Sequence, residues 1–203
     1  VTNPPIDPFR EKVVMSLQCP IGPQANILEP SARQVHRLWL HHPILSINDL
    51  DVLKRTNYRG WSSHVIDITF PASEGPAGLA PKLQSVCEEA EKASFKHEII
   101  ILSDRNAGAD RVPISSLLAL GAVHHYLIEL RHRMKVALII ETAEAREVHH
   151  ICVLLGYGAD GINPYLALEL GTSLRQDGTL DQSYTDEVIF KNYSQAMVTG
   201  ISK

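Results

Sequence analysis

The sequence predicts an α/β fold, and three features carry the prediction. Short apolar runs at 64–70, 98–104 and 135–141 alternate with stretches of helical spacing, and a further strand opens at Gly161. Seven prolines punctuate the first sixty residues, which argues against long helices or central strands before about Asp49. Strand–helix alternation at this spacing requires parallel strands joined by right-handed crossovers. The expected architecture is therefore parallel strands with alternating helices, in an open sheet or a partial (β/α) barrel, preceded by an irregular Pro-rich segment.

The elements are expected in the following order. "SINDLDVLKR" reads as a short helix capped by Ser46 or Asn48. "HVIDITF" (64–70) is β-branched and bounded by Pro71, hence a strand. In "GLAPKLQSVCEEAEKASF" (78–95), Leu79, Leu83, Val86 and Ala90 recur at helical spacing. "EIIILSD" (98–104) is a strand covered on both faces, since it is apolar almost throughout. A helix over 113–131 would place Pro113 in its first turn, and "KVALIIE" (135–141) is the next strand. A helix over 143–158 ends at a glycine, and a short strand opens "GINPYLALEL" (161–170). Residues 171–182 read as a polar linker, and 183–201 as a last helix capped by Ser183 or Thr185. The triplet "VHH" occurs at 123–125 and again at 148–150, each time in a helix that feeds a strand.

Composition limits the function classes. The chain has 203 residues, 44% hydrophobic and 21% charged, with a formal charge of −4. Together with a pI near 6.2, that charge gives no electrostatic reason to expect nucleic acid. No stretch is long and apolar enough to span a membrane, and no cationic start precedes an apolar run. Cys19, Cys87 and Cys152 are odd in number and widely spaced, so they indicate a reduced, intracellular protein without a disulfide framework. Cys87 and Cys152 are expected to be small buried side chains. The start at Val1 suggests a mature or excised segment.

Three groups of residues could carry chemistry. Gly156-x-Gly158-x-x-Gly161 has the spacing of a dinucleotide fingerprint, but the order of elements is reversed. A phosphate site needs glycines ahead of a helix, where free amides point outward; these follow one, where carbonyls do. A left-handed cap at Gly156 or Gly158 and a tight strand entry at Gly161 account for all three. The pairs His124–His125 and His149–His150 suggest a metal. However, adjacent helix residues diverge by about 100°, so packing histidines are expected instead. The third group lies at the carboxyl ends of the strands: Thr69, Ser103, Asp104, Arg105, Glu141, Thr142 and Asn163. Such rims hold the active sites of barrels and open sheets. In an enzyme, Glu141 or Asp104 would act as base and Arg105 as anion anchor. Otherwise these groups pair with one another and cap helices, with Ser115 and Glu144 as further helix-start residues. Glu88–Lys92 and Glu129–Arg133 are spaced as i, i+4 ion pairs of solvated faces.

"VTNPPIDPFRE", "ILSDRNAGADRVPISSLLALGAVHHYL" and "ETAEAREVHHICVLLGYGADGINPYLALE" resemble glutamate synthase, specifically the central domain of the eukaryotic NADH-dependent type. The resemblance covers nearly the whole chain. It implies that residues 1–60 are an irregular N-terminal part of the domain, 61–170 its α/β core, and 171–203 a linker and helix towards the flavin domain. It also implies a non-catalytic role: the domain would connect a glutaminase domain to an FMN synthase domain of the same polypeptide and help to form the ammonia passage between them. The family uses FMN, iron–sulfur clusters and NADH. The family's N-terminal catalytic cysteine, its three-cysteine cluster motif and its FMN segment have no counterpart in these residues, so no cofactor and no catalytic residue is assigned to this segment. The location implied is intracellular, in cytoplasm or plastid. "TNPPID" suits a passage wall, because neutral polar groups would not protonate ammonia and prolines would stiffen the backbone. Thr2 and Asn3 are accordingly the expected passage-lining residues. Isolated from its neighbours, the domain would expose contact surfaces and self-associate. An independent (β/α) enzyme with its site at the strand-end rim is the alternative.

Overall fold

The computed structural model describes residue 10 and residues 13–203. Its centre is a four-stranded parallel sheet made of β3 (Ser63–Asp67), β5 (Ile99–Ser103), β7 (Ala137–Glu141) and β8 (Gly161–Asn163), hydrogen-bonded in that order. Between successive strands run α2 (Leu79–Ala93), α3 (Ser116–Glu129) and α4 (Val148–Gly156). Sequential right-handed crossovers in one direction deposit their helices on one face. The period-2 alternation of the strands then sorts the core into two layers. Ile66, Ile100, Leu102, Leu138, Ile140 and Ile162 face the helices. Ile99, Ile101, Ala137 and Ile139 face the opposite way, against Ile21, Leu45, Leu50, Leu53 and Trp61.

That second layer comes from the N-terminal part. It contains a two-stranded antiparallel ribbon, β1 (Cys19–Ile21) with β2 (Leu38–Leu40), and one helix, α1 (Ile47–Lys54). A capping box fixes the start of α1: Ser46 Oγ accepts from Asp49 N at 3.0 Å, while Ser46 N donates to Asp49 Oδ2 at 3.0 Å. The prolines leave little else regular here, as expected. Their segment nevertheless closes one edge of the sheet. Leu45 N donates to Ile162 O at 2.8 Å and Ile162 N donates to Pro43 O at 2.7 Å, so residues 43–45 run parallel along the outer side of β8. The sheet is open and does not close into a barrel.

Four expectations need correcting. The run 64–70 is not one strand: it breaks at Ile68, and β4 (Thr69–Pro71) pairs antiparallel with β6 (Arg111–Pro113). Pro113 therefore lies in this short ribbon opposite Thr69, not in the first turn of α3, and a missing N–H costs little at such an edge. The helix expected from Ala143 begins only at Val148. The intervening amides find side-chain acceptors instead: Ala143 N donates to Asp104 and Glu144 N to Thr142 Oγ1. Residues 171–176 are not linker but the end of α5 (Tyr165–Gln176). Gly171 suggested a linker, yet a Cβ there would come within 2.7 Å of Ile189 Cγ2, so the glycine permits close approach of the last helix, α6 (Asp186–Ile201). Thr185 caps α6, with Oγ1 accepting from Val188 N at 3.3 Å.

Candidate functional site: the strand-end rim

Strand register places Asp67, Ser103, Glu141 and Asn163 in one row across the carboxyl ends of the parallel strands. Asp104, Thr142 and Thr69 lie one or two residues beyond it, and all of these except Asp67 are buried. The sequence-predicted rim is thus a real constellation. Its chemistry depends on which lone pairs and donors remain available.

Glu141, 4% exposed, accepts from Lys54 Nζ through both oxygens at 2.8 Å and from Ser103 Oγ at 2.6 Å. Lys54 comes from the last turn of α1, so this ion pair joins the N-terminal layer to the sheet. Asp104, 1% exposed, accepts from Thr142 Oγ1 at 2.7 Å and from Ala143 N at 3.0 Å. Burial pushes its carboxyl above the usual carboxylate range, opposed by those hydrogen bonds. Burial, then the nearby Asp104 carboxylate, pushes the Tyr165 phenol strongly upward. Arg105 stacks on Tyr165, 4.2 Å from ring centroid to Cζ, and pairs with Glu169 at 2.5 Å. At the other end of the row, Asp67 accepts from Thr69 N and Oγ1, Asn106 Nδ2 and Arg111 Nη2. Burial would raise Asp67, but those donors outweigh it and hold its carboxyl below the usual range.

Glu144 has the most informative position. Its Oε2 accepts from Ser116 N at 2.7 Å and from Ser116 Oγ at 2.6 Å, on the first turn of α3. Free amides at a helix start after a strand are the usual seat of a ligand phosphate. Here the chain fills that seat with its own carboxylate, and Ser115 makes no cap with its side chain. The rim residues thus pair with one another and cap helices. A residual acceptor is Asn163 Oδ1, buried without a partner among the described residues, while Asn163 Nδ2 donates to Leu45 O at 3.0 Å.

The glycine triplet is a helix stop. Ala159 N donates to Leu154 O and Gly158 N to Leu155 O, both at 3.1 Å, the paired bonds of a Schellman motif with Gly158 at φ +106°. A Cβ on Gly158 would collide with the His124 ring. Gly156 is the last helical residue, and Gly161 opens β8 with Ile139 Cδ1 2.9 Å from where a Cβ would sit.

The histidine pairs do not converge. His124 and His125 are edge to face at 5.3 Å, and His149 and His150 are 6.4 Å apart between centroids. His124 Nδ1 accepts from Arg133 Nε at 3.0 Å, which requires a lone pair there; burial and the Arg133 charge push its pKa down. Among the described residues no cluster of three or more His, Cys, Asp or Glu side chains could hold a metal ion. Nor is any helix among them long and apolar enough to cross a membrane. Arg133 lies beyond the end of α3 and pairs with Asp160 at 2.9 Å, so the expected Glu129 pair does not form. The sequence pattern offered this arginine only a surface pair with Glu129; the one signal for its actual partner is that Asp160 precedes a strand. Cys87 is buried, which raises its thiol, but Cys152 is exposed, contrary to expectation, because it points away from the sheet on α4. Thr2 and Asn3 lie outside the described residues.

Fold and rim define an open parallel α/β domain whose buried strand-end carboxylates are engaged internally. Comparison with known sequences makes the assignment specific: a family model described as the glutamate synthase central domain matches residues 1–203. The chain belongs to that family. It is 48% identical over 206 residues to glutamate synthase (NADH) of Schizosaccharomyces pombe, and 47% over 212 residues to glutamate synthase (NADH) of Saccharomyces cerevisiae. Each match covers 100% of this chain and 10% of the relative. It is 40% identical over 204 residues to the glutamate synthase (NADPH) large chain of Bacillus subtilis, covering 100% of this chain and 13% of that one. The chain therefore spans about a tenth of the length of the curated relatives it matches.

Proposed function

We propose that this chain is the non-catalytic central domain of a glutamate synthase, holding a glutaminase domain and an FMN-binding synthase domain in register. It also contributes wall to the passage through which ammonia moves between them, with Thr2 and Asn3 among the lining groups. FMN, iron–sulfur clusters and the nicotinamide site belong to other parts of the polypeptide or its partners. One observation carries the scaffold reading: the buried rim carboxylates Glu141 and Asp104 are engaged by the chain itself, and Glu144 Oε2 occupies the helix start where a ligand would sit. A general base needs a lone pair within reach of a substrate proton, and the Glu141 and Asp104 oxygens accept internal donors in a buried place.

The test separates chemistry from coupling in the whole polypeptide. Asp104→Asn and Glu144→Gln are expected to leave glutamine hydrolysis and ammonia-driven glutamate formation near normal. Thr2→Val with Asn3→Leu is expected to uncouple the two, so that hydrolysed glutamine exceeds glutamate formed. A folded Asp104→Asn enzyme lacking either half-reaction would make the rim catalytic. Unchanged coupling in the Thr2/Asn3 variant would remove those residues from the passage.

A further inference from the structure

The N-terminal layer carries a groove that the sheet does not use. It is a cleft of about 380 Å³ beside β2 and α1, with Leu38, Trp39, Leu40, Val52, Leu53 and Phe190 forming its apolar walls. Trp39 and Val52 are each 65% exposed, whereas Trp61, on the same layer, is 9% exposed. Large apolar side chains exposed together at this density mark a contact surface. Among the described residues β2 is paired on one side only, to β1. A half-paired strand alongside an apolar groove suits an extended chain, which adds main-chain hydrogen bonds and places alternate side chains in the walls. The shape argues against a second copy, because a two-fold contact would set this concave face against itself.

We propose that this groove seats an extended apolar segment from the remainder of the same polypeptide. The proposal rests on reading the chain as one domain of a glutamate synthase. The length of the relatives supplies the occupant: about nine-tenths of each lies outside the matched region. On this view Trp39 is an anchor, a buried aromatic at the centre of an interdomain contact.

The experiment uses the full-length polypeptide. Trp39 and Trp61 are oxidised by hydroxyl radicals in one sample, and a photo-crosslinking residue replaces Val52. The expected result is that Trp39 loses its reactivity to the level of Trp61. Val52 then joins an apolar stretch of the same chain outside residues 1–203. Trp39 reacting many times faster than Trp61 overturns the proposal, as does a crosslink joining two polypeptides or one confined to residues 1–203. Neither readout depends on ammonia coupling. A normal coupling ratio with a solvent-reactive Trp39 defeats the groove alone, and uncoupling failure with a protected Trp39 defeats the passage alone.

Discussion

Asp104 brings together a nearly complete loss of solvent and hydrogen bonds from two donors, the Thr142 hydroxyl and the Ala143 amide, and those two facts pull its carboxyl in opposite directions. Truncating it strands the Thr142 hydroxyl and the Ala143 amide in a buried place. Asp104→Ala is expected to cost about 1–3 kcal/mol in urea unfolding, the range for a buried donor left unsatisfied. His124 gives a pH dependence. Its folded pKa is depressed by burial, then by Arg133 and His125, so the unfolded chain binds the proton more readily. The stabilising contribution is full above the ordinary histidine value of about 6.5 and is lost as pH falls through the lower folded value. Thermal midpoints measured between neutral and mildly acid pH should fall toward acid, and His124→Gln should flatten part of that slope. Asp67 acts in the same direction at more acid pH: its folded pKa is lowered, so its contribution disappears as pH drops through the carboxylate range.

At the scale of elements, helix α4 depends on its stop. Gly158 combines a positive φ with a backbone that touches the His124 ring, so Gly158→Ala meets both strain and a clash. A loss of roughly 1–3 kcal/mol or more is expected, against little change for Gly156→Ala within the helix, compared by the same unfolding assay. The pattern of elements also shows what the sequence made legible. Strands β5 and β7 were plain because a strand buried on both faces is apolar throughout, and α6 because Thr185 and an acidic first turn mark its start. The rim could be located because chain order alone puts Ser103, Glu141 and Asn163 at strand ends. What remained hidden depended on partners distant in sequence. Nothing near Pro113 announces that Thr69 will pair with it, and nothing in "ETAEARE" shows that Asp104 will claim the Ala143 amide. Gly171 read as a break in a helix because its packing partner, Ile189, comes eighteen residues later. Which rim lone pairs are spent could not be read at all, since Lys54 reaches Glu141 across 87 residues of sequence.

For the whole molecule, that Lys54–Glu141 pair ties the N-terminal layer to the sheet. Lys54 is partly exposed and Glu141 is not, so removing the lysine leaves a buried carboxylate facing only Ser103. Lys54→Ala is expected to destabilise by roughly 2–4 kcal/mol, whereas Lys54→Met together with Glu141→Leu should recover most of that loss. Both can be read from the midpoint of a chemical denaturation curve. The parallel strip along β8 carries a different consequence, one of timing. Leu45 and Asn163 are 118 residues apart in the chain. A ribosome adding residues at its usual pace needs roughly ten seconds to make that stretch. Until β8 is made, residues 43–45 have no strand to run along and Leu45 lacks its cover, although β5 and β7 already offer the face on which Leu50, Leu53 and Trp61 pack. Newborn chains stalled before residue 160 should therefore be captured by chaperones more readily than chains stalled a few turns later.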